Sequence, residues 1–250
     1  MKQTRKPRGL AWLESQDLGD TIAGFDPSGW EASTWILHAI YEKACRGEDV
    51  THDDVWRSGR AAGTIPPLVF GDLDIEALLP DDAVMTGTPL GRTQHPGEGW
   101  TRVRWAELAD RLGIDPFAQH PCPGDGSFPF ASWPASISPP GEGSLDRGQF
   151  VRLTHHLATE SGDTRCFAHY SPLASGEYDE AVLYVGPLAE IVDLYDETSL
   201  TGSPTNFWPE DRSWFVYTNW DLWGTKVSGN RQLIDELERD PELETATLAC

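Results

Sequence analysis

Apolar positions along the chain change their period several times, and each change marks an element. In GFDPSGWEASTWILHAIYEKA, residues 24 to 44, Ser28 and Glu31 stand three apart in a capping-box arrangement after Pro27. Trp30, Ile36, Leu37, Ile40, Tyr41 and Ala44 then recur at mixed three and four spacing, which predicts a helix with a wide buried stripe. A second start stands at THDDVW, where Thr51 caps and Asp54 answers it ahead of Val55 and Trp56. Pro66 and Pro67 close that helix. LVF before Gly71 reads as a buried strand, and AVMTG after the acidic turn at Pro80 as another. In GWTRVRWAELADRLGI a short helix runs through Glu107 and Leu108 to Gly113, a residue suited to a C-terminal cap.

Beyond residue 143 the pattern is more regular. SLDRGQFVRLTHHLAT (144–159) predicts a helix with Phe150, Val151, Leu153 and Leu157 inward. Strands follow at RCFAHY, EAVLYVG, SWFVYTNW and TKVS. Ser228-Gly229-Asn230 leads into RQLIDELERD, where Leu233, Ile234 and Leu237 form one stripe and Pro241 stops the helix; ETATLA adds a last strand. The fold class is therefore α+β: a mostly antiparallel sheet with flanking helices in the C-terminal half, and mixed helix and strand in the N-terminal half.

Between these halves, residues 115–143 carry seven prolines and four glycines without a period. Proline donates no amide hydrogen and restricts its predecessor, so regular ladders fail there. Phe117, Phe128, Phe130 and Trp133 make the segment too apolar for a free linker, and an ordered strap packing on both halves is expected. The organisation read from the chain is a flexible lead over 1–20, a mixed half over 21–114, the strap over 115–143, and a sheet-bearing half over 144–250, compatible with one compact domain. No internal repeat is evident.

Charge narrows the classes of partner. Forty carboxylates stand against 19 Lys and Arg, a formal charge of -21. Such a field repels phosphate backbones and anionic bilayers, so no direct nucleic acid and no membrane partner is expected, while a basic protein fits. The basic lead MKQTRKPR is followed by no apolar run, and no stretch approaches the roughly 20 apolar residues of a span, which points to a cytoplasmic protein. Cys45, Cys122, Cys166 and Cys250 are scattered, with no CxxC, and free thiols are expected.

The densest candidate chemistry lies in SWFVYTNWDLWGTKVSGN, residues 213–230. As a strand, Trp214, Val216, Thr218 and Trp220 share one face, while Phe215, Tyr217 and Asn219 share the other, the mark of a central strand covered on both sides. Asp221 to Gly224 then read as a hairpin connection. Either Asp221 receives backbone amides and holds the turn, or Trp220 and Trp223 anchor an interface or ligand groove while Asn219 and Asp221 give direction. Trp214, Asn219, Trp220, Asp221 and Trp223 are thus the candidate binding residues.

Other constellations are thinner. His120, Cys122, Cys166 and His169 are zinc-type ligands, but a strand puts Cys166 and His169 on opposite faces, and adjacent His155 and His156 diverge on a helix, so no metal is expected. His38 and Glu42, four apart, suit an acid–base pair on a helix, with His52, Asp53 and Asp54 following. No GxSxG, HExxH, Walker loop or dinucleotide fingerprint accompanies them, and GTPLGR lacks the Lys-Ser or Lys-Thr step of a phosphate loop, so neither a catalytic residue nor a cofactor is assigned. The acidic run DELERDPELE (235–244) reads as the solvated side of the last helix, with the capacity to meet a basic surface.

Residues 206–248, NFWPEDRSWFVYTNWDLWGTKVSGNRQLIDELERDPELETATL, resemble the C-terminal part of an uncharacterised acidic protein family of high-GC Gram-positive bacteria, and GRTQHPGEGWTRVRWAELADRLGI resembles its middle. The order of an aromatic-ended strand, a turn at Asp221, a short strand before Ser228-Gly229, and a helix through Leu233 and Leu237 is also similar to the tail of the SUKH superfamily. That resemblance implies an α+β fold, an acidic surface and a role as an immunity protein against a toxin, with Trp214, Trp220, Asp221 and Trp223 in the matching part. The first half of this chain has no counterpart there. The function expected is that of a noncatalytic acidic protein-binding protein, of the kind an immunity protein or antitoxin is against a basic toxin; the alternative is an enzyme or small-ligand binder with a pocket between the halves.

Overall fold

The computed structural model describes residues 1–4, 10–14, 24–44, 50–66, 69–70, 73–74, 93–115, 133–175 and 181–246. Among them an eight-stranded, wholly antiparallel sheet runs in the order β1 (Lys2–Thr4), β9 (Val182–Pro187), β8 (Arg165–Tyr170), β10 (Asn206–Pro209), β11 (Phe215–Thr218), β12 (Gly224–Gly229), β2 (Ala32–Leu37) and β13 (Thr245–Ala246). A three-stranded antiparallel sheet places β3 (Ile40–Lys43) between β6 (Trp100–Val103) and β7 (Ile137–Ser138), and β4 (Val69–Phe70) pairs with β5 (Leu73–Asp74). The helices are α1 (Ala11–Glu14), α2 (His52–Ala61), α3 (Trp105–Leu112), α4 (Arg147–Ser161) and α5 (Arg231–Arg239), with a 3-10 helix over Leu188–Asp196. This is the α+β, largely antiparallel architecture with flanking helices that the periodicity predicts. Among the described residues no helix is long and apolar enough to cross a membrane.

The large sheet buries both faces. On one, Phe207, Trp214, Val216 and Val227 pack under Phe150, Leu153 and Leu157 of α4 and Leu233, Ile234 and Leu237 of α5. On the other, Trp208 and Phe215 are covered by Leu10, Leu13 and Phe25. A third cluster, Leu37, Ile40, Val103, Trp105, Leu108, Trp133, Ile137 and Trp223, joins the small sheet and α3 to the tip of the β11–β12 hairpin. β11 is thus the doubly covered central strand that its two apolar faces foretell.

The stretch predicted as one helix over 28–44 is instead two strands, β2 and β3. Thr34, Trp35 and Ile36 are β-branched or aromatic, and their burial alternates with period two, the requirement of a pleated strand. β2 finds partners on both sides, six register pairs with β12 and two with β13, so ladder bonds replace the helical ones. Glu31 does not close a capping box with Ser28; its carboxylate accepts the Arg231 amide at 3.1 Å and serves the start of α5. The tertiary partner decides where local spacing is ambiguous.

Several boundaries do follow the sequence. Thr51 and Asp54 form the reciprocal capping box of α2. Gly113 ends α3 in the left-handed region at φ 64°, a conformation that glycine adopts without a Cβ penalty. Asn230 caps α5, its side-chain oxygen accepting the Leu233 amide at 2.8 Å. Asn230→Ala should cost about 1 kcal/mol, seen as a lower denaturant midpoint at unchanged slope; an unmoved midpoint would mean this cap contributes nothing. Val151, expected inward, is 41% exposed, because the stripe of α4 runs through Phe150, Leu153 and Leu157 and turns position 151 to solvent. Phe117, Phe128, Phe130 and the AVMTG strand lie outside the described residues.

Candidate functional site

The hairpin at 214–224 divides its five candidate residues between core and surface. Trp214 is fully buried, with its indole N–H donating to Ser161 Oγ at 3.1 Å and its ring edge-on to Phe207 at 5.8 Å. Trp223 is 3% exposed, stacked on Trp105 at 6.1 Å and edge-on to Trp133 at 5.2 Å. Neither ring reaches the surface as an anchor. Trp220 is half-buried against the main core, Asn219 is half-buried, and Asp221 is exposed. The turn is held by Asn219 rather than Asp221: its side-chain oxygen accepts the Asp221 amide at 3.1 Å, and its carbonyl accepts the Leu222 amide at 3.2 Å. Gly224, expected in the connection, is the first residue of β12 and pairs with Leu37.

The end of the strap lies directly on this turn. Gly143 donates its amide to the Leu222 carbonyl at 3.0 Å, and a Cβ at Gly143 would meet the Trp220 carbonyl oxygen at 2.9 Å. Glycine, at φ 66°, is what permits that approach. Strap and hairpin therefore pack against each other at this point.

Beneath them sits a closed polar network. His38 Nδ1 is 2.7 Å from the Gly141 carbonyl, which only accepts, so Nδ1 carries the proton and Nε2 accepts from the Thr225 hydroxyl at 3.0 Å. Thr225 Oγ1 in turn lies 2.7 Å from Thr218 Oγ1, whose hydroxyl supplies the remaining proton. Burial drives the imidazole down to about 4, against the Gly141 bond that raises it, so His38 is neutral at pH 7. The acid–base pair foreseen with Glu42 does not form. His38 lies between β2 and β3, whereas Glu42 holds Arg111 through two hydrogen bonds of 3.0 and 2.6 Å. His52 donates through Nε2 to the Ile137 carbonyl at 2.7 Å, locking α2 to the small sheet.

The zinc-type residues are likewise separate. Cys166 belongs to the core under the helices, while His169 faces the Phe25 ring at 5.3 Å on the opposite side, as strand alternation requires. Burial pushes the Cys166 thiol up to about 12, and it drives His169 down to about 4 despite the neighbouring Asn206 amide. His156 lies 2.5 Å from Asp240 Oδ2, together with Arg152 Nε at 2.5 Å. Burial would raise the Asp240 carboxyl, but the Arg152 and His156 hydrogen bonds prevail and hold it near 2. Among the described residues no cluster of three or more His, Cys, Asp or Glu is arranged to hold a metal. His120 and Cys122 lie outside them.

The acidic run at 235–244 is partly consumed inside the fold. Asp235 pairs with Arg239 at 3.2 Å, Asp240 is the buried acceptor just described, and Glu244 receives the first two amides of α3, from Trp105 and Ala106.

A cleft of about 660 Å³ opens where α4 meets β3 and β6, and sequence reasoning did not assemble it. Tyr41, His95, Arg102, Asp146, Arg147 and Arg152 line it. Asp146 caps α4 by accepting the Gly148 amide at 2.8 Å and also takes the Tyr41 hydroxyl at 3.0 Å. Burial and this carboxylate together push the Tyr41 phenol up. Gln149 beside it clamps the β2–β3 link, accepting the Ala39 amide at 2.9 Å and donating to the Leu37 carbonyl at 2.8 Å. His95 packs edge-on against Tyr41 at 4.7 Å, and its Nδ1 accepts the Gly97 amide at 3.0 Å. One signal was legible, the Asp at 146 followed by two amides of a helix start. The arginines stand up to fifty residues apart in the chain and meet only through the β3–β6 pairing. Comparison with protein-family models, with curated proteins and with solved structures finds no match to this chain.

Proposed function

We propose that the protein is a noncatalytic, acidic protein-binding protein of the cytoplasm that docks a basic partner, as an immunity protein or antitoxin docks a basic toxin. The observation that carries this reading is how the fold uses its cations. Among the described residues Arg57, Arg111, Arg147, Arg152, Lys226 and Arg239 are ion-paired within the molecule. Lys43, Arg60 and Arg212 lie over tryptophan rings. Asp193, Glu197, Glu210 and Asp221, by contrast, are exposed and meet no cation among the described residues. These exposed carboxylates give the described surface unpaired negative charge of the same sign as the chain's formal -21, and a field of that sign steers a basic protein into encounter.

Supporting the noncatalytic part, the chemistry-bearing groups are committed to structure: His38 to a closed network, Glu42 to Arg111, and Asp240 to α4. The test is a pull-down from native host lysate at low and moderate salt. One basic protein held stoichiometrically and released by salt is the expected result; recovery of the bait alone would reject the reading.

A further inference from the structure

We infer that the cleft between α4 and the β3–β6 pair binds a small anion bearing a phosphate or carboxylate group. Three guanidinium groups line it in a chain that is otherwise short of cations. Their existing bonds leave donors to spare. Arg152 engages Asp240 through Nε. Arg147 engages Asp196 through Nε and Nη2, at 3.2 and 2.9 Å. Arg102 donates from Nη1 to the Glu242 carbonyl. A guanidinium has five N–H donors in a fixed fork, so each retains hydrogen-bonding capacity for an oxyanion.

Two acids line the cleft: Glu242, which is exposed and adds its charge to the field an anion must overcome, and Asp146, which does not compete for the guanidiniums. Both Asp146 oxygens are occupied, one by the α4 amides and the other by Tyr41, and the residue is 7% exposed. With Nδ1 accepting from Gly97, the His95 N–H is at Nε2, which adds a further donor to the lining. The volume suits one small molecule rather than a peptide, and a wall of rigid strands and a capped helix keeps the donors in place. The molecule's overall field opposes entry of an anion, so recognition must come from these close hydrogen bonds, for which the bidentate Arg fork is the strong form.

Isothermal titration of the full-length protein with inorganic phosphate and with citrate tests this, the two probes separating phosphate from carboxylate preference. One-to-one saturable binding of at least one probe is expected. Arg102→Gln and Arg147→Gln should each weaken it about tenfold, with circular dichroism and melting temperature unchanged. Arg147→Lys, which keeps the charge but loses the fork, should fall between, and Arg231→Gln, outside the cleft, should bind as wild type. No saturable binding of either probe, or binding indifferent to both Gln variants, would overturn the inference. Neither result bears on the basic-partner reading, which is judged by protein capture.

Discussion

Replacing Trp223 with Ala is expected to destabilise the protein by roughly 3–5 kcal/mol, which for a chain of this size lowers the melting temperature by on the order of 10 °C. The ring fills the junction of three segments, against Trp105 from α3 and Trp133 from within the strap. Its removal leaves a cavity that these rigid aromatic neighbours cannot close. An exposed anchor would behave in the opposite way, with weaker partner binding at unchanged stability. Asp221→Ala, at the exposed tip of the same hairpin, should leave the melting temperature nearly unmoved. A Trp223→Ala protein that melts with the wild type would return the ring to the surface.

The second large effect is loss of stability in mild acid. His38 and His169 are buried and neutral, each driven from 6.5 to about 4 by desolvation. On unfolding they regain their ordinary value and take up protons below it, so the unfolded state binds more protons and stability falls as pH drops from about 6.5 toward 4. Each contributes about 2 kcal/mol of loss by pH 5. Below about 4 the folded histidines protonate too, and their contribution levels off. Asp240 acts in a lower window: its depressed carboxyl stabilises the fold above the ordinary carboxylate value and loses that contribution as pH falls toward 2. Denaturant unfolding at pH 7 and pH 5 separates the histidines from the carboxylates. The wild type should lose several kcal/mol over that interval and a His38→Gln, His169→Gln double variant much less; a wild-type profile flat between these values would contradict the burial of both rings.

What could be read in advance divides along a physical line. Elements whose start, stripe and stop are all local were legible: α3 with Gly113, α5 between Asn230 and Pro241, and the doubly apolar strand β11. The segment over 28–44 was not, because Trp30, Ile36, Leu37 and Ile40 satisfy a helical stripe while Thr34, Trp35 and Ile36 satisfy a strand, and only the β12 ladder decides between them. The 3-10 helix over Leu188–Asp196 and the strand β10 gave no clear period of their own. At the candidate residues the same limit applies. Trp214, Trp220 and Trp223 look alike in sequence, yet each meets a residue far along the chain: Ser161 at the Trp214 indole, Gly143 at the Trp220 backbone and Trp105 at the Trp223 ring. The arginine-lined cleft has no linear signature at all, since a convergence of guanidiniums is a property of pairing.

The basic-partner reading meets its most direct test in association kinetics across ionic strength. The protein recovered from lysate would be mixed with the wild type and with an Asp193→Lys, Glu210→Lys variant, two exposed carboxylates with no cation partner among the described residues. The expected result is a wild-type association rate that falls steeply with added salt, and a charge-reversed variant that starts slower and depends on salt less. An association rate independent of salt and identical in the two proteins would contradict an acidic docking surface.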